Sequence, residues 1–141
     1  MGGDPQVPHH VVVYTDGASR GNPGLAGAGW VIEDKDGKRL HADGRFLGRT
    51  TNNVAEYAGV LGGLQAAFAL GARQITLRAD SELLVRQLNG QYKVRAPHLA
   101  PLFAQVQQIL AKFAAASIEH VPRERNAAAD EQANRAIDER D

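Results

Sequence analysis

The spacing of apolar residues changes after the first third of the chain. Runs of β-branched or alternating apolar residues predict three strands, at residues 11–15, 26–33 and 40–47, separated by turns rich in Gly, Asn, Asp and Pro. Apolar residues at helical spacing then predict a helix over residues 53–70 that stops at Gly71. The chain therefore begins with an antiparallel meander and continues with a helix.

The rest of the chain alternates short strands with helices. Further strands are predicted at residues 75–79 and 117–121, and further helices at residues 81–89, 99–113 and 126–138. Asn126 would cap the last helix. The resulting order, βββαβααβα, predicts an α/β fold with a five-stranded mixed sheet and helices packed on it.

Four acidic residues stand at the ends of these predicted elements. Asp16 follows the first strand and Asp80 the fourth, while Glu56 and Asp130 lie in the first turns of two helices. Sites in open sheets gather at the carboxyl ends of parallel strands. Several carboxylates from different elements suit a hard cation such as Mg²⁺, which prefers oxygen ligands. The four residues together indicate a metal site.

Each carboxylate taken singly also has an ordinary structural explanation. Asp16 could belong to a turn, and Glu56 could complete a capping box with Asn53. Asp80 could cap the helix that follows it, and Asp130 could lie on a solvated helix face. Their joint placement favours the metal site.

Composition limits the classes of protein that remain open. The 141 residues suffice for one domain with a hydrophobic core, and the absence of cysteine excludes disulfides and thiolate zinc sites. The formal net charge is zero, which argues against a nucleic-acid-binding protein. That objection weakens if the four carboxylates hold metal, because 16 basic residues then face only 12 acidic ones. No apolar run is long enough to span a bilayer.

Four short motifs carry a resemblance to a known family. Residues 14–24 (YTDGASRGNPG), 50–56 (TTNNVAE), 79–81 (ADS) and 126–130 (NAAAD) resemble, in this order, the four motifs of type 1 ribonuclease H. The resemblance covers roughly residues 10–140. The sequence looks closest to the compact archaeal and actinobacterial branch, which lacks a basic protrusion.

The resemblance implies both a fold and an activity. The fold would be ribonuclease H-like, with Asp16, Glu56, Asp80 and Asp130 as catalytic metal ligands. They would hold two Mg²⁺ ions, with Mn²⁺ as a substitute. The protein would be an endonuclease, a hydrolase of the RNA strand of RNA/DNA hybrids that leaves 3′-hydroxyl and 5′-phosphate ends. A cytoplasmic monomer that binds no membrane is expected.

Substrate contacts are also implied. Hybrids are recognised by shape and by 2′-hydroxyls across a wide, shallow minor groove, for which short polar side chains are suited. Asn22 with Thr51 would hold a phosphate of the DNA strand, and Asn52 and Asn53 would lie near sugar and base edges. Ser81 and Arg123 are further candidate substrate contacts.

His120 is a candidate catalytic residue, because similar proteins place a mobile histidine ten residues before the last carboxylate. The loop that follows it is not glycine-rich, so Arg123 is an alternative helper of turnover. A strand-end core histidine is the structural alternative. Where relatives carry a basic, Trp-containing protrusion, residues 90–96 offer only Lys93 and Arg95, which predicts weak substrate affinity.

Domain organisation is predicted to be simple. Residues 1–8 are expected to be a disordered tail without signal-peptide character, and residues 9–141 a single catalytic domain. Three alternatives stay open at this point: a non-catalytic nucleic-acid-binding module of the same fold, the nuclease domain of a larger fusion protein, and a transposase or resolvase nuclease.

Overall fold

The computed structural model describes residues 9–140, and the expected tail at residues 1–8 lies outside them. The strands are β1 (His10–Gly21), β2 (Gly24–Glu33), β3 (Arg39–Thr50), β4 (Gln74–Ala79) and β5 (Ala115–His120). The helices are α1 (Asn52–Leu70), α2 (Glu82–Leu88), α3 (Ala100–Leu110) and α4 (Ala127–Asp138), with a 3₁₀ turn at Arg123–Arg125. The predicted order βββαβααβα is confirmed.

The five strands form one mixed sheet in the order β3-β2-β1-β4-β5. β1, β2 and β3 pair antiparallel, whereas β4 pairs parallel to both β1 and β5. The parallel ladder of β1 and β4 ends at the pair Tyr14 and Arg78. Asp16 and Asp80 each follow two residues after this last pair, so they lie side by side just past the end of the parallel ladder.

The core lies on both faces of the sheet. One face of β1, β2 and β4 packs against α1, together with α2 and α3, around apolar residues such as Val13, Leu64 and Leu77. On the opposite face, α4 covers β2 and β3. It lies so close that a Cβ added at Gly29 would come within 2.4 Å of the Ala129 carbonyl oxygen. Glycine therefore sets the distance between sheet and helix on that side.

Two sequence-based expectations about element ends are wrong. β1 does not stop before Asp16 but continues to Gly21, because its antiparallel pairing with β2 extends past the parallel ladder and sets Asp16 opposite Gly29. α1 is capped by Thr51, whose Oγ1 accepts a hydrogen bond from the Val54 amide, rather than by Asn53.

The predicted end of α1 is confirmed, and the start of α2 shows which residue caps that helix. Gly71 ends α1 in the left-handed conformation, at φ 98°, as the sequence indicated. Ser81 rather than Asp80 caps α2, since its Oγ accepts from the Leu84 amide at 3.2 Å. The Asp80 carboxylate is therefore not used for capping. None of the helices within residues 9–140 combines the length and hydropathy needed to cross a membrane.

Candidate active site

The site begins with a close contact between β1 and α1. A Cβ added at Gly17 would lie 2.3 Å from the Glu56 amide nitrogen, and one added at Gly59 would lie 2.5 Å from the Asp16 carbonyl oxygen. Two glycines, one on each element, thus allow the two backbones to touch. This contact brings Asp16 of the strand beside Glu56 of the helix.

Asp80 completes a cluster of three carboxylates. It follows β4 directly and lies beside Asp16, just past the end of the ladder between β1 and β4. Asp16, Glu56 and Asp80 each offer a carboxylate oxygen within 4.8 Å of the others. Three oxygen ligands at this separation could hold a divalent cation, and hard cations such as Mg²⁺, Mn²⁺ and Ca²⁺ prefer such ligands.

Burial and mutual repulsion perturb these acids. Asp16 is only 9 % exposed, and burial followed by the charge of Asp80 raises its pKa to about 8, although the Gly17 amide donates to it at 2.9 Å. Burial and Asp80 likewise raise the pKa of Glu56 to about 7, while the Arg123 charge opposes that shift. Close carboxylates resist ionising together in this way when no cation lies among them.

Asp130 and Arg123 lie at the outer part of the same site. Both line a cavity of about 270 Å³ together with the three clustered carboxylates. Asp130 is exposed, in the first turn of α4, and its side chain is close enough to Asp16 to raise the pKa of that acid. The four predicted acids therefore come together, as an inner group of three with Asp130 beside it.

His120 borders the site from β5. It is the last residue of that strand and is exposed, with Nε2 3.3 Å from the backbone carbonyl oxygen of Asp80. The ring is therefore accessible to solvent and adjacent to the residue that carries one of the clustered carboxylates. The strand-end core alternative is wrong, since the side chain faces solvent.

The predicted substrate contacts divide into three groups. Asn52 lines the carboxylate cavity. Its backbone amide donates to Asn22 Oδ1 at 3.1 Å, and this hydrogen bond joins the β1–β2 turn to α1. Thr51 and Ser81 are occupied as helix caps, although Ser81 also lines a small pocket with the clustered acids. Asn53 is exposed and faces a different groove.

That groove lies between α1, α2 and the segment before α3. It has a volume of about 510 Å³, and Tyr92, Lys93 and Arg95 line it together with Asn53 and exposed Leu83. Tyr92 is 50 % exposed and stacks under the Arg86 guanidinium at 5.5 Å. An aromatic ring with basic neighbours is the usual composition of a nucleic-acid-binding surface.

The sequence predicts Asn126 as the cap of the last helix, and the position is confirmed, but the use of the side chain differs. It stands at the N-cap position of α4, but its side chain makes no capping hydrogen bond. The amide instead donates to the Thr15 carbonyl oxygen and to Asp80. Its membership of the fourth motif was the one signal in the sequence that set it apart.

Comparison with known proteins gives relatives over most of the chain. A protein-family profile described as "Reverse transcriptase-like" matches residues 14–136. The bifunctional protein Rv2228c of Mycobacterium tuberculosis is 45 % identical over 129 residues, which cover 91 % of this chain and 35 % of that protein. The chain thus spans about a third of the length of this relative.

Solved structures agree in fold and sequence. RNase H1 from the halophilic archaeon Halobacterium salinarum NRC-1 matches with a TM-score of 0.89 at 43 % identity, over 92 % of this chain and 98 % of that chain. LC11-RNase H1, solved in complex with an RNA/DNA hybrid, matches with a TM-score of 0.85 at 43 % identity, over 92 % and 97 % of the two chains. The chain belongs to the type 1 ribonuclease H family.

Proposed function

We propose that this protein is an endoribonuclease that hydrolyses the RNA strand of RNA/DNA hybrids with two divalent metal ions. The observation that carries the proposal is the convergence of Asp16, Glu56 and Asp80, with Asp130 beside them, on one open cavity. The hybrid bound by LC11-RNase H1, which is 43 % identical, supports the choice of substrate. Products with 3′-hydroxyl and 5′-phosphate ends are expected.

The residues present fit a divalent cation. Three oxygens within 4.8 Å of one another form a hard donor set, and the raised pKa values of Asp16 and Glu56 measure an electrostatic cost that a cation would remove. We assign Asp16, Glu56, Asp80 and Asp130 as the ligands. Mg²⁺ is the proposed ion and Mn²⁺ its substitute, because both accept carboxylate oxygens.

The chemistry of phosphodiester cleavage then divides between ion and protein. When bound, a pair of such ions supplies a water nucleophile near neutral pH and stabilises the leaving oxygen. The carboxylates orient that centre. His120, exposed at the end of β5 beside Asp80, is the proposed residue that carries a proton or helps the product to leave. Arg123, in the same cavity, would attract the scissile phosphate.

Selection of a hybrid would come from the polar side chains around the carboxylates. Asn52 in the cavity, with Asn22 hydrogen bonded to it, offers short donors and acceptors of the kind that recognise 2′-hydroxyls. Asn53, next to Asn52 in the chain, lines the separate groove with Lys93 and Arg95. The two basic residues would contact phosphates of the second strand, and their small number predicts modest affinity.

A second candidate concerns the protein context rather than the reaction. The match to Rv2228c covers 35 % of that bifunctional protein, which favours a nuclease domain able to function within a longer chain. A non-catalytic binding module is disfavoured, because all four acidic positions are occupied by acids. A single catalytic domain over residues 9–141, a monomeric state and a cytoplasmic location stay predictions.

The decisive experiment compares two duplexes of the same sequence. Labelled RNA/DNA hybrid and DNA duplex are incubated with the protein, with Mg²⁺ or with EDTA, and the products are separated on a denaturing gel. We expect cleavage of the RNA strand alone, and only with Mg²⁺. Asp80→Asn should reduce cleavage by several orders of magnitude, whereas Asp36→Asn, in an exposed turn, should not change it.

Two results would contradict this function. Equal cleavage of the hybrid and the DNA duplex would indicate a DNA nuclease of the same fold. Near-full activity of folded Asp80→Asn protein would show that the clustered carboxylates are not the catalytic centre.

A further inference from the structure

Asn126 connects three parts of the site through one buried side chain. It is 1 % exposed and stands between the 3₁₀ turn and α4. Its Nδ2 donates to the Thr15 carbonyl oxygen at 2.9 Å and lies 3.4 Å from Asp80 Oδ2. Thr15 directly precedes Asp16, so the Asn126 side-chain amide contacts both the residue before Asp16 and the Asp80 carboxylate.

The chemistry of these contacts requires a donor with two hydrogens. Both groups facing Nδ2 are acceptors, one a carbonyl oxygen and the other a carboxylate oxygen. A flipped amide would set Oδ1 against both of them, so the network itself fixes the orientation. A primary amide has the two N–H groups that this position needs, whereas a hydroxyl has one.

The side chain is not placed for the stability of α4. It makes no capping hydrogen bond, and its Oδ1 finds no donor among residues 9–140 although it is buried. A buried polar atom without a partner destabilises the folded protein. The contacts to Thr15 and Asp80 are therefore what distinguishes asparagine here.

The same residue also fixes the start of the helix that carries Asp130. The Asp130 amide donates to the Asn126 carbonyl oxygen at 3.1 Å, as the first turn of α4. Holding the Asn126 side chain against β1 therefore holds Asp130 next to Asp16. One residue thus orients an inner carboxylate by direct contact and positions the outer one through the helix.

We propose that Asn126 is a positioning residue of the metal site, which holds the Asp80 carboxylate and the first turn of α4 in the arrangement that binds the cations. The inference rests on the proposed function, because it requires that the carboxylates bind metal. It adds a residue outside the acidic cluster whose loss weakens metal binding while every carboxylate remains. Groups that orient metal ligands typically contribute about 10–100-fold to metal affinity or activity.

The test uses Asn126→Ser as the main variant. Serine is a favoured residue at helix starts, but its hydroxyl has one hydrogen and lies one bond nearer the backbone than Nδ2. Asn126→Ala is the second variant. Asn89→Ala is the matched control, because the exposed Asn89 also donates to a strand carbonyl oxygen, that of Ile118 at 3.1 Å, with no clustered carboxylate as partner.

Binding of Mn²⁺ to each full chain, without nucleic acid, is measured by titration calorimetry. We expect a dissociation constant about 10–100-fold higher for Asn126→Ser and Asn126→Ala, and an unchanged one for Asn89→Ala. In hybrid cleavage, the Mg²⁺ concentration for half-maximal rate should rise by a similar factor, while KM for the hybrid stays the same. Urea unfolding in EDTA reports stability separately.

The outcomes distinguish the positioning role of Asn126 from the proposed function. If unsubstituted protein binds Mn²⁺ and Asn126→Ser binds it equally well, Asn126 is not a positioning residue and the proposed function is unaffected. If KM for the hybrid rises while metal affinity is unchanged, the residue belongs to substrate binding and the inference is wrong. If the unsubstituted protein binds no metal, the proposed function fails and this inference fails with it.

Discussion

Removing the most buried acid of the site should stabilise the metal-free protein at alkaline pH. Asp16 has a pKa of about 8 in the folded chain and an ordinary value of 3.8, mainly because it is buried and secondly because Asp80 is close. Below about pH 4 the carboxyl is protonated in both states and favours neither. Between about pH 4 and 8 the unfolded chain is ionised while the folded chain keeps its proton, so the free energy of unfolding falls as pH rises.

The size of the effect follows from the shift. A change from 3.8 to about 8 corresponds to about 6 kcal/mol, at about 1.4 kcal/mol per pKa unit. Asp16→Asn removes this loss and keeps an acceptor for the Gly17 amide, but a buried amide costs about 1–3 kcal/mol itself. At pH 8.5 in EDTA we expect Asp16→Asn to be more stable by about 3–5 kcal/mol, or by about 10–15 °C in Tm.

Urea unfolding followed by circular dichroism at pH 4, 6 and 8.5 would measure this. The advantage of Asp16→Asn should grow with pH and be absent at pH 4, and adding Mg²⁺ should stabilise the unsubstituted protein but not the variant. Asp36→Asn, which removes the same charge from an exposed turn, should follow the unsubstituted protein. A variant that is less stable at pH 8.5, or an advantage that does not depend on pH, would refute the electrostatic reasoning.

Three further predictions concern other parts of the molecule. In steady-state cleavage, His120→Ala should lower kcat by about 10²-fold with little change in KM, which is less than the loss in Asp16→Asn; if only Arg123→Ala lowers kcat, the role in turnover belongs to the arginine. The double variant Lys93→Ala/Arg95→Ala should weaken hybrid binding and reduce the slope of log K against log salt by up to about 2, because each phosphate contact contributes about 0.9; an unchanged slope would remove the groove from the binding surface. Tyr57→Phe should reduce the free energy of unfolding by about 1–3 kcal/mol, because it leaves a buried glutamine acceptor without its 2.5 Å hydrogen bond; unchanged urea stability would contradict this.

The order of the elements could be predicted because each has its own local signal. Alternating or β-branched runs indicated the strands, helical spacing indicated the long helices, and Gly71 ended α1 in the left-handed conformation that glycine favours. The approach of Asp16 and Asp80 could be expected if the first and fourth strands pair in parallel, because each acid then lies two residues past the end of their ladder at Tyr14 and Arg78. The spacing of apolar residues that defines each strand and helix is encoded over a few residues.

The end of β1 could not be predicted, because its cause is not local. The pair Asp16 and Gly17 has the composition of a turn, and a turn was expected there. Glycine is needed at residue 17 for another reason, namely that the backbone of α1 lies against it near Glu56. Glycine is used both where two elements approach closely and in tight turns, so the sequence alone does not distinguish the two.

Asn126 was misinterpreted for a related reason. Asparagine before a helix is a good local cap, so the sequence favoured that use. Its partners are Thr15 and Asp80, which are remote in the chain and become neighbours only in the folded sheet. Side chains that join elements across the fold carry no periodic signal, and such residues were those that sequence reasoning missed.

The bond between Asn126 and Thr15 also bears on how the protein is made. It joins residues 111 positions apart, so at about 5–20 residues per second the ribosome takes on the order of 5–20 s to deliver the second partner after the first. Shortly before Asn126 is added, the nascent chain already contains Asp16, Glu56 and Asp80 but lacks the segment proposed to position them. The proposed metal site can therefore be complete only after the segment that carries Asn126 and Asp130 has been made and has docked on the sheet.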